Sequence, residues 1–203
     1  MIIRAVEKTE NKIIDAVVNI HINTFNGFFL TFMGKGFLRQ MYRAYCYHNH
    51  SNLLVAIDDK GDVIGFLAYS TDMSGLYKFM IKKRIIPFAW YSLGALIKRP
   101  KIFIRLIRAF LKPNESKREE RYVKLTSIGV RPDVKSKGIG SLMIDKLKSM
   151  VNFDDYAYIL LETDADNNVA ANNFYLKNGF LLSNSYVTKE GRKMNEYHYQ
   201  GNS

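Results

Sequence analysis

Residues 135–141 read Lys-Ser-Lys-Gly-Ile-Gly-Ser. They stand between an apolar run, KLTSIGV at 124–130, and a helix-patterned run, SLMIDKLKSMV at 141–151. The start of a helix presents unpaired N–H groups and a partial positive charge. Glycines there let a ligand come close to the backbone, and Lys135 and Lys137 add charge of the same sign. The chemistry this offers is anion binding, with phosphate the usual occupant. The same residues also suit a tight strand-to-helix turn. The loop is not of the Walker type, because no Gly-Lys-Ser/Thr follows. It is not the dinucleotide fingerprint either, because only one of that motif's glycine pairs is present. A second kind of chemistry, metal ligation, finds little to work with. Cys46 is the only cysteine. His48 and His50 sit in a polar stretch before a strand and read as surface residues rather than as ligands.

The elements that must position this loop follow from hydrophobic period. Residues 2–6 read as a short strand. Residues 10–23 repeat apolar groups at Ile13, Val17 and Ile20 with Ile14, Val18 and Ile22 beside them, which is a helix period. Phe37, Leu38, Met41, Tyr42 and Tyr45 recur at helical spacing after the apolar segment 28–33. Residues 53–57 and 63–69 flank Asp58-Asp59-Lys60-Gly61-Asp62, a hairpin signal. Residues 122–130 alternate as a strand, and Gly129 within it suggests a bulge or the close approach of a ligand. A helix is expected over 139–151, a buried parallel strand over 156–161 and a polar loop over 164–168. A helix follows over 169–177, ended by Asn178-Gly179, and then strands over 180–187 and 193–200. Asn168 is expected to cap the helix that follows it. This order predicts a single α/β (α+β) domain over residues 1–203, with a mixed, mostly antiparallel sheet flanked by helices. The one parallel pair is joined by a crossover across 122–161. With 203 residues, 47% of them hydrophobic, the chain can bury a sizeable core. The net charge of +11 favours anionic partners: nucleic acid, an acidic membrane surface or phosphorylated small molecules. The N-terminus MIIRAVEKTE lacks a charged-then-apolar signal pattern, so a cytoplasmic location is expected, at the inner membrane surface if the basic segment described below docks there.

Two motifs carry a family resemblance. KSKGIGS at 135–141, preceded by IGVRPD, resembles the acyl-CoA-binding motif of the GNAT acetyltransferases. The segment from Asn168 to Phe180, NVAANNFYLKNGF, resembles the same family's Asn-x-x-Ala-x-x-x-Tyr-x-x-x-Gly-Phe. Lys135 departs from the family's Arg or Gln but keeps a long polar side chain. The resemblance implies a sheet splayed at the parallel strand pair and acetyl-CoA as acyl donor. It also implies pyrophosphate held on backbone N–H groups from Ser136 to Ser141, through Lys137, Gly138 and Gly140. The backbone of Ile128 and Val130 would pair with the pantetheine arm, as in strand addition. Ile128 N–H would be the oxyanion donor and Tyr175 the acid that protonates the leaving thiolate, while Asn168 would contact the cofactor. In some relatives a glutamate stands where this chain has Lys124. Others place it at the end of the following strand, near Glu162, which makes Glu162 the candidate base. The implied reaction is N-acetylation of a small-molecule primary amine by direct attack in a ternary complex. A protein or peptide acceptor is the alternative within the same chemistry. A non-catalytic protein binding CoA, membrane or nucleic acid is the alternative outside it.

Residues 71–120 form an insert. From Met73 through Asn114 it holds no acidic residue, while Lys78, Lys82, Lys83, Arg84, Arg105 and Arg108 are among its basic ones. In residues 102–111 apolar groups at Ile102, Leu106 and Phe110 define a basic amphipathic helix. Three readings stand: a helical hairpin packed on the domain or on a second subunit, a lid whose arginines grip an anionic acceptor, or docking on an anionic membrane with Phe88, Trp90 and Phe103 at the interface. Nucleic acid is the weakest of the anionic partners, because nothing resembles a known nucleic-acid module.

Overall fold

The structure is a computed structural model that describes residues 1–25, 29–83, 88, 120–134, 137–189 and 191–201. Seven strands form one sheet in the order β1-β2-β3-β4-β5-β7-β6. They are β1 (Ile2–Ala5), β2 (Ser51–Ile57), β3 (Val63–Ser70), β4 (Tyr122–Val130), β5 (Tyr158–Asp164), β6 (Leu181–Val187) and β7 (Lys193–Tyr199). Every neighbouring pair is antiparallel except β4–β5. That pair is joined through the helix α5 (Ile139–Met150). The other helices are α1 (Asn11–Thr24), α2 (Phe29–Phe32), α3 (Gly34–Tyr47), α4 (73–83) and α6 (Val169–Lys177).

Period-2 alternation distributes the strand residues between two cores. Leu53, Val55, Phe66 and Ala68 point to the face covered by α1, α3 and α4. Leu54, Ala56, Leu67, Val123, Leu125, Ile159 and Leu161 point to the opposite face, covered by α5 with Phe174 and Tyr175 of α6 packed against it. The apolar stripe predicted for α1 is buried, and His21 lies on it beside Ile14, Val17, Val18 and Ile20.

The feature that shapes the site is the brevity of the parallel pairing. β4 and β5 pair only at Tyr122↔Tyr158, Val123↔Ile159 and Lys124↔Leu160. Beyond Lys124 the strands part, leaving a wedge between residues 125–130 and 161–164. Meanwhile β4 stays paired with β3 as far as Val130, and β5 with β7 as far as Asp164.

Two expectations need correction. The register of β4 slips at Thr126 rather than at Gly129, for Ala68 faces Ser127 while Tyr69 faces Leu125. Gly129 is in regular register with Phe66, and a Cβ there would stand 2.7 Å from the Phe66 ring, so that aromatic neighbour alone requires a glycine. β5 runs on to Asp164, so Glu162 lies within the strand, because Glu162, Thr163 and Asp164 continue the ladder with Glu196, Asn195 and Met194. The insert opens with α4, whose Met73, Leu76 and Met80 are core residues. Phe88 meets the Phe37 ring edge-on at 4.9 Å. The rest of the insert's readings, including those on Trp90, Phe103, Arg105 and Arg108, lie outside the described residues.

Candidate active site

A cleft fills the wedge. Ser127 and Ile128 of β4 line one side, Glu162, Thr163 and Asp164 of β5 the other, and Tyr175 closes it from α6. Arg131 N–H donates to the Ile64 carbonyl on β3 at 2.8 Å. Alternation along the strand then turns the N–H and C=O groups of Ile128 and Val130 away from β3 and into the wedge. The Val130 carbonyl already accepts the Thr24 hydroxyl at 3.2 Å.

The glycine loop stands at the mouth of this wedge. Gly138 has φ +78°, the left-handed conformation glycine adopts without penalty, and it serves as the N-cap of α5. The first helical bond runs from Leu142 N–H to the Gly138 carbonyl at 3.0 Å. The N–H groups of Ile139, Gly140 and Ser141 therefore precede any intrahelical acceptor. Around Gly138 a Cβ would meet nothing within 4 Å, whereas at Gly140 it would stand 3.1 Å from the Phe174 ring. Gly140 thus also lets α5 approach α6. Lys137 is exposed, and Lys135 and Ser136 lie outside the described residues.

Tyr175 is held by ring contacts with Phe174, Phe180 and Tyr197, at centroid distances of 5.3, 6.0 and 6.1 Å. Burial pushes its phenol up to about 12, so it carries its proton throughout the neutral range. Glu162 receives two partners. Lys124 Nζ sits 2.7 Å from its Oε2, and the Tyr186 hydroxyl donates to its Oε1. The pairing answers the Lys124 substitution noted in the sequence: the lysine crosses to the glutamate of the next strand. Asn168 occupies the N-cap position of α6 but makes no side-chain cap bond. Its Nδ2 donates instead to Thr163 Oγ1 at 2.7 Å, which corrects the capping expectation and ties the loop to the wedge.

Sequence reasoning missed several residues that build this site. Asn172 donates to the carbonyls of Asp164 and Asn168 and accepts from Asn195 and the Tyr197 hydroxyl, fixing α6 to β5 and β7. His21 lines the cleft, with its Nδ1 2.6 Å from the Tyr42 hydroxyl, which in turn lies 3.5 Å from Ser127 Oγ. His21 Nε2 is buried without a hydrogen-bond partner. The spacing of His21, four residues after Val17 and seven after Ile14, was the available signal. The Thr126 bulge is fastened by Tyr45 O–H donating to Thr126 Oγ1 at 2.8 Å and by that hydroxyl donating to the Ala68 carbonyl at 2.9 Å.

Comparison with known proteins bears on this geometry. The family model of the acetyltransferase (GNAT) family matches residues 16–180. No curated protein matches. Among solved structures, the chain is similar to ribosomal-protein-alanine N-acetyltransferase from Brucella melitensis, with a TM-score of 0.61, 14% identity and coverage of 98% of this chain and 99% of that one. A mutant of spermidine N-acetyltransferase from Vibrio cholerae gives a TM-score of 0.57, 13% identity and coverage of 98% and 95%. A candidate streptothricin acetyltransferase from Bacillus anthracis, in complex with acetyl coenzyme A, gives 0.51, 17% identity and coverage of 79% and 68%. At these identities the structural likeness establishes the fold and leaves the acceptor open.

Proposed function

The chain belongs to the GNAT acetyltransferase family, whose acyl donor is acetyl-CoA, and from that premise we propose that it acetylates the primary amine of a small molecule by direct transfer in a ternary complex. The observation that carries the proposal is the wedge itself, which brings the free edge of Ile128 and the Tyr175 hydroxyl into one cleft. Among the described residues that hydroxyl has no hydrogen-bond partner, so it is available to a ligand.

Each residue then has a task. The pantetheine arm lies along residues 128–130 as an added strand, and the N–H groups of Gly138 to Ser141, with Lys137, receive the pyrophosphate. Lys135 and Ser136 belong to the same loop in this reading, and Asn168 flanks the arm from the N-cap of α6, tied to Thr163 of β5. The neutral amine attacks the thioester carbonyl, whose oxygen gains negative charge and is met by Ile128 N–H. As the C–S bond breaks, Tyr175 protonates the sulfur. A phenol held near 12 is a weak acid in water, but a thiolate in the same water-poor cleft is also a stronger base. Glu162 takes the proton that the acceptor's ammonium must lose. The ammonium reaches the carboxylate beside Lys124, because each carboxylate oxygen can accept a second hydrogen bond.

Two-substrate initial-rate kinetics test the proposal. Direct transfer gives intersecting double-reciprocal lines and no acetylated protein after incubation with acetyl-CoA alone. Parallel lines with an acetyl-enzyme would overturn it.

A further inference from the structure

The wedge does not end at the thioester position. It continues under α3 and α4 into a lobe lined by Met41, Tyr45, Met73, Tyr77, Met80 and Met194. This lobe shares Thr126, Ser127 and Glu162 with the wedge, so a molecule seated in it presents one end to the reacting carbonyl. Met41, Met73 and Met80 are 5%, 6% and 2% exposed and belong to the core. The Tyr45 hydroxyl is spent on Thr126 and the Tyr42 hydroxyl on His21, so these tyrosines offer the lobe mainly ring surface.

Charge is the second half of the argument. Two cations line the lobe, and each already has a carboxylate. Lys124 is paired with Glu162 at 2.7 Å. Arg192 binds Asp164 through both of its oxygens, at 2.8 and 2.9 Å from Nη2. Counting Asp164, which lines the adjoining wedge, the charges of the described residues at the lobe balance. A polyamine would bring a second ammonium that finds no free carboxylate there, and a phosphorylated amino sugar would find both cations engaged. Thioethers, by contrast, conform to irregular apolar shapes and make favourable contacts with aromatic rings.

We propose, resting on the acetyl-transfer reading above, that the acceptor is a primary amine with an apolar body and no second charge, of the aralkylamine or long alkylamine class. Its body lies among the methionines and tyrosines of the lobe, and its amino group ends at Glu162. The ammonium gives one proton to Glu162, the neutral nitrogen attacks the thioester carbonyl, and the nitrogen sheds a second proton to solvent as the amide forms and the C–S bond breaks. The sulfur takes a proton from Tyr175, which the proton released at Glu162 replaces through solvent. The net products are the amide, CoA thiol and one proton.

The full chain is assayed for CoA thiol release and for the amide by mass spectrometry, with 2-phenylethylamine, octylamine, spermidine, glucosamine 6-phosphate and a short peptide as acceptors. Acetyl-CoA binding is measured in parallel by calorimetry. The proposal expects kcat/KM for 2-phenylethylamine or octylamine to exceed that of the charged acceptors by about a hundredfold. It also expects Tyr77→Glu to shrink that preference at least about tenfold, with acetyl-CoA affinity unchanged. Preference for spermidine, the sugar phosphate or the peptide overturns the proposal while leaving acetyl transfer in place. So does silence from both apolar amines when acetyl-CoA binds. Failure to bind acetyl-CoA overturns the underlying reading instead.

Discussion

Acidification should cost this protein stability before most of its carboxylates protonate, and the cause is His21. The imidazole is 3% exposed. Phe25, Tyr42 and Phe66 surround it, and burial lowers it from its ordinary 6.5 to about 4. Between those two values the unfolded chain takes up a proton that the native state refuses. Stability contributed by the neutral ring is therefore complete above 6.5 and is lost as pH falls toward about 4. At about 1.4 kcal/mol per tenfold change in proton activity, the full loss is about 3 kcal/mol. That is a large share of the roughly 5–15 kcal/mol by which domains are stable. Urea unfolding, repeated from neutral pH down to about pH 4, reads this directly as a falling midpoint. His21→Gln keeps an amide for the Tyr42 hydroxyl and cannot take up a proton. Its stability at neutral pH should be somewhat lower, and its pH slope across this window should be shallower by close to one proton. Parallel slopes for the two proteins would refute the reasoning.

Three further outcomes are expected. Tyr175→Phe should lower kcat by about a hundredfold or more while leaving acetyl-CoA affinity intact, and equal turnover would remove Tyr175 from the mechanism. Gly140→Val drives new methyl groups toward a ring already 3.1 Å from the first added carbon, so it should cost about 1–3 kcal/mol and lower Tm by about 2–12 °C; an unchanged Tm would mean that Phe174 yields freely. Glu162→Gln should cut kcat about a hundredfold, and Lys124→Met should lower KM for the amine by removing the like charge beside it at the carboxylate; full turnover in Glu162→Gln would leave that glutamate only as the anchor of Lys124.

The sequence made some parts of this arrangement plain and hid others for physical reasons. The sequence pattern marks α6 and β4 at their observed bounds and α5 to within one residue, because period, glycine punctuation and motif coincide there. The apolar run points to a strand that ends at Leu161, because the polar residues after it give no strand signal until their partners on β7 are known. The bulge was assigned to Gly129, the residue whose type suggests one. The actual slip at Thr126 depends on hydroxyl bonds to Tyr45, 81 residues away, and to the Ala68 carbonyl. The capping role of Asn168 failed for a similar reason: Thr163 offered its side chain a tertiary partner. The buried His21 and the Lys124–Glu162 pair are also products of tertiary packing, although the types and spacing of their residues were in view.

The three-pair seam between β4 and β5 has a consequence for how the molecule holds together. It divides the sheet into a four-stranded block and a three-stranded block, each internally laddered by longer antiparallel pairings. The seam is the sheet's thinnest join, and closing it demands the crossover through α5, a contact distant along the chain. It is therefore expected to form late in folding and to open first in hydrogen exchange. A donor lying in the wedge would bridge both blocks at that join. Its binding should then slow exchange across the whole sheet and raise global stability by about 2.7 kcal/mol at a hundredfold excess over Kd, so that the substrate serves as a removable strut for the fold.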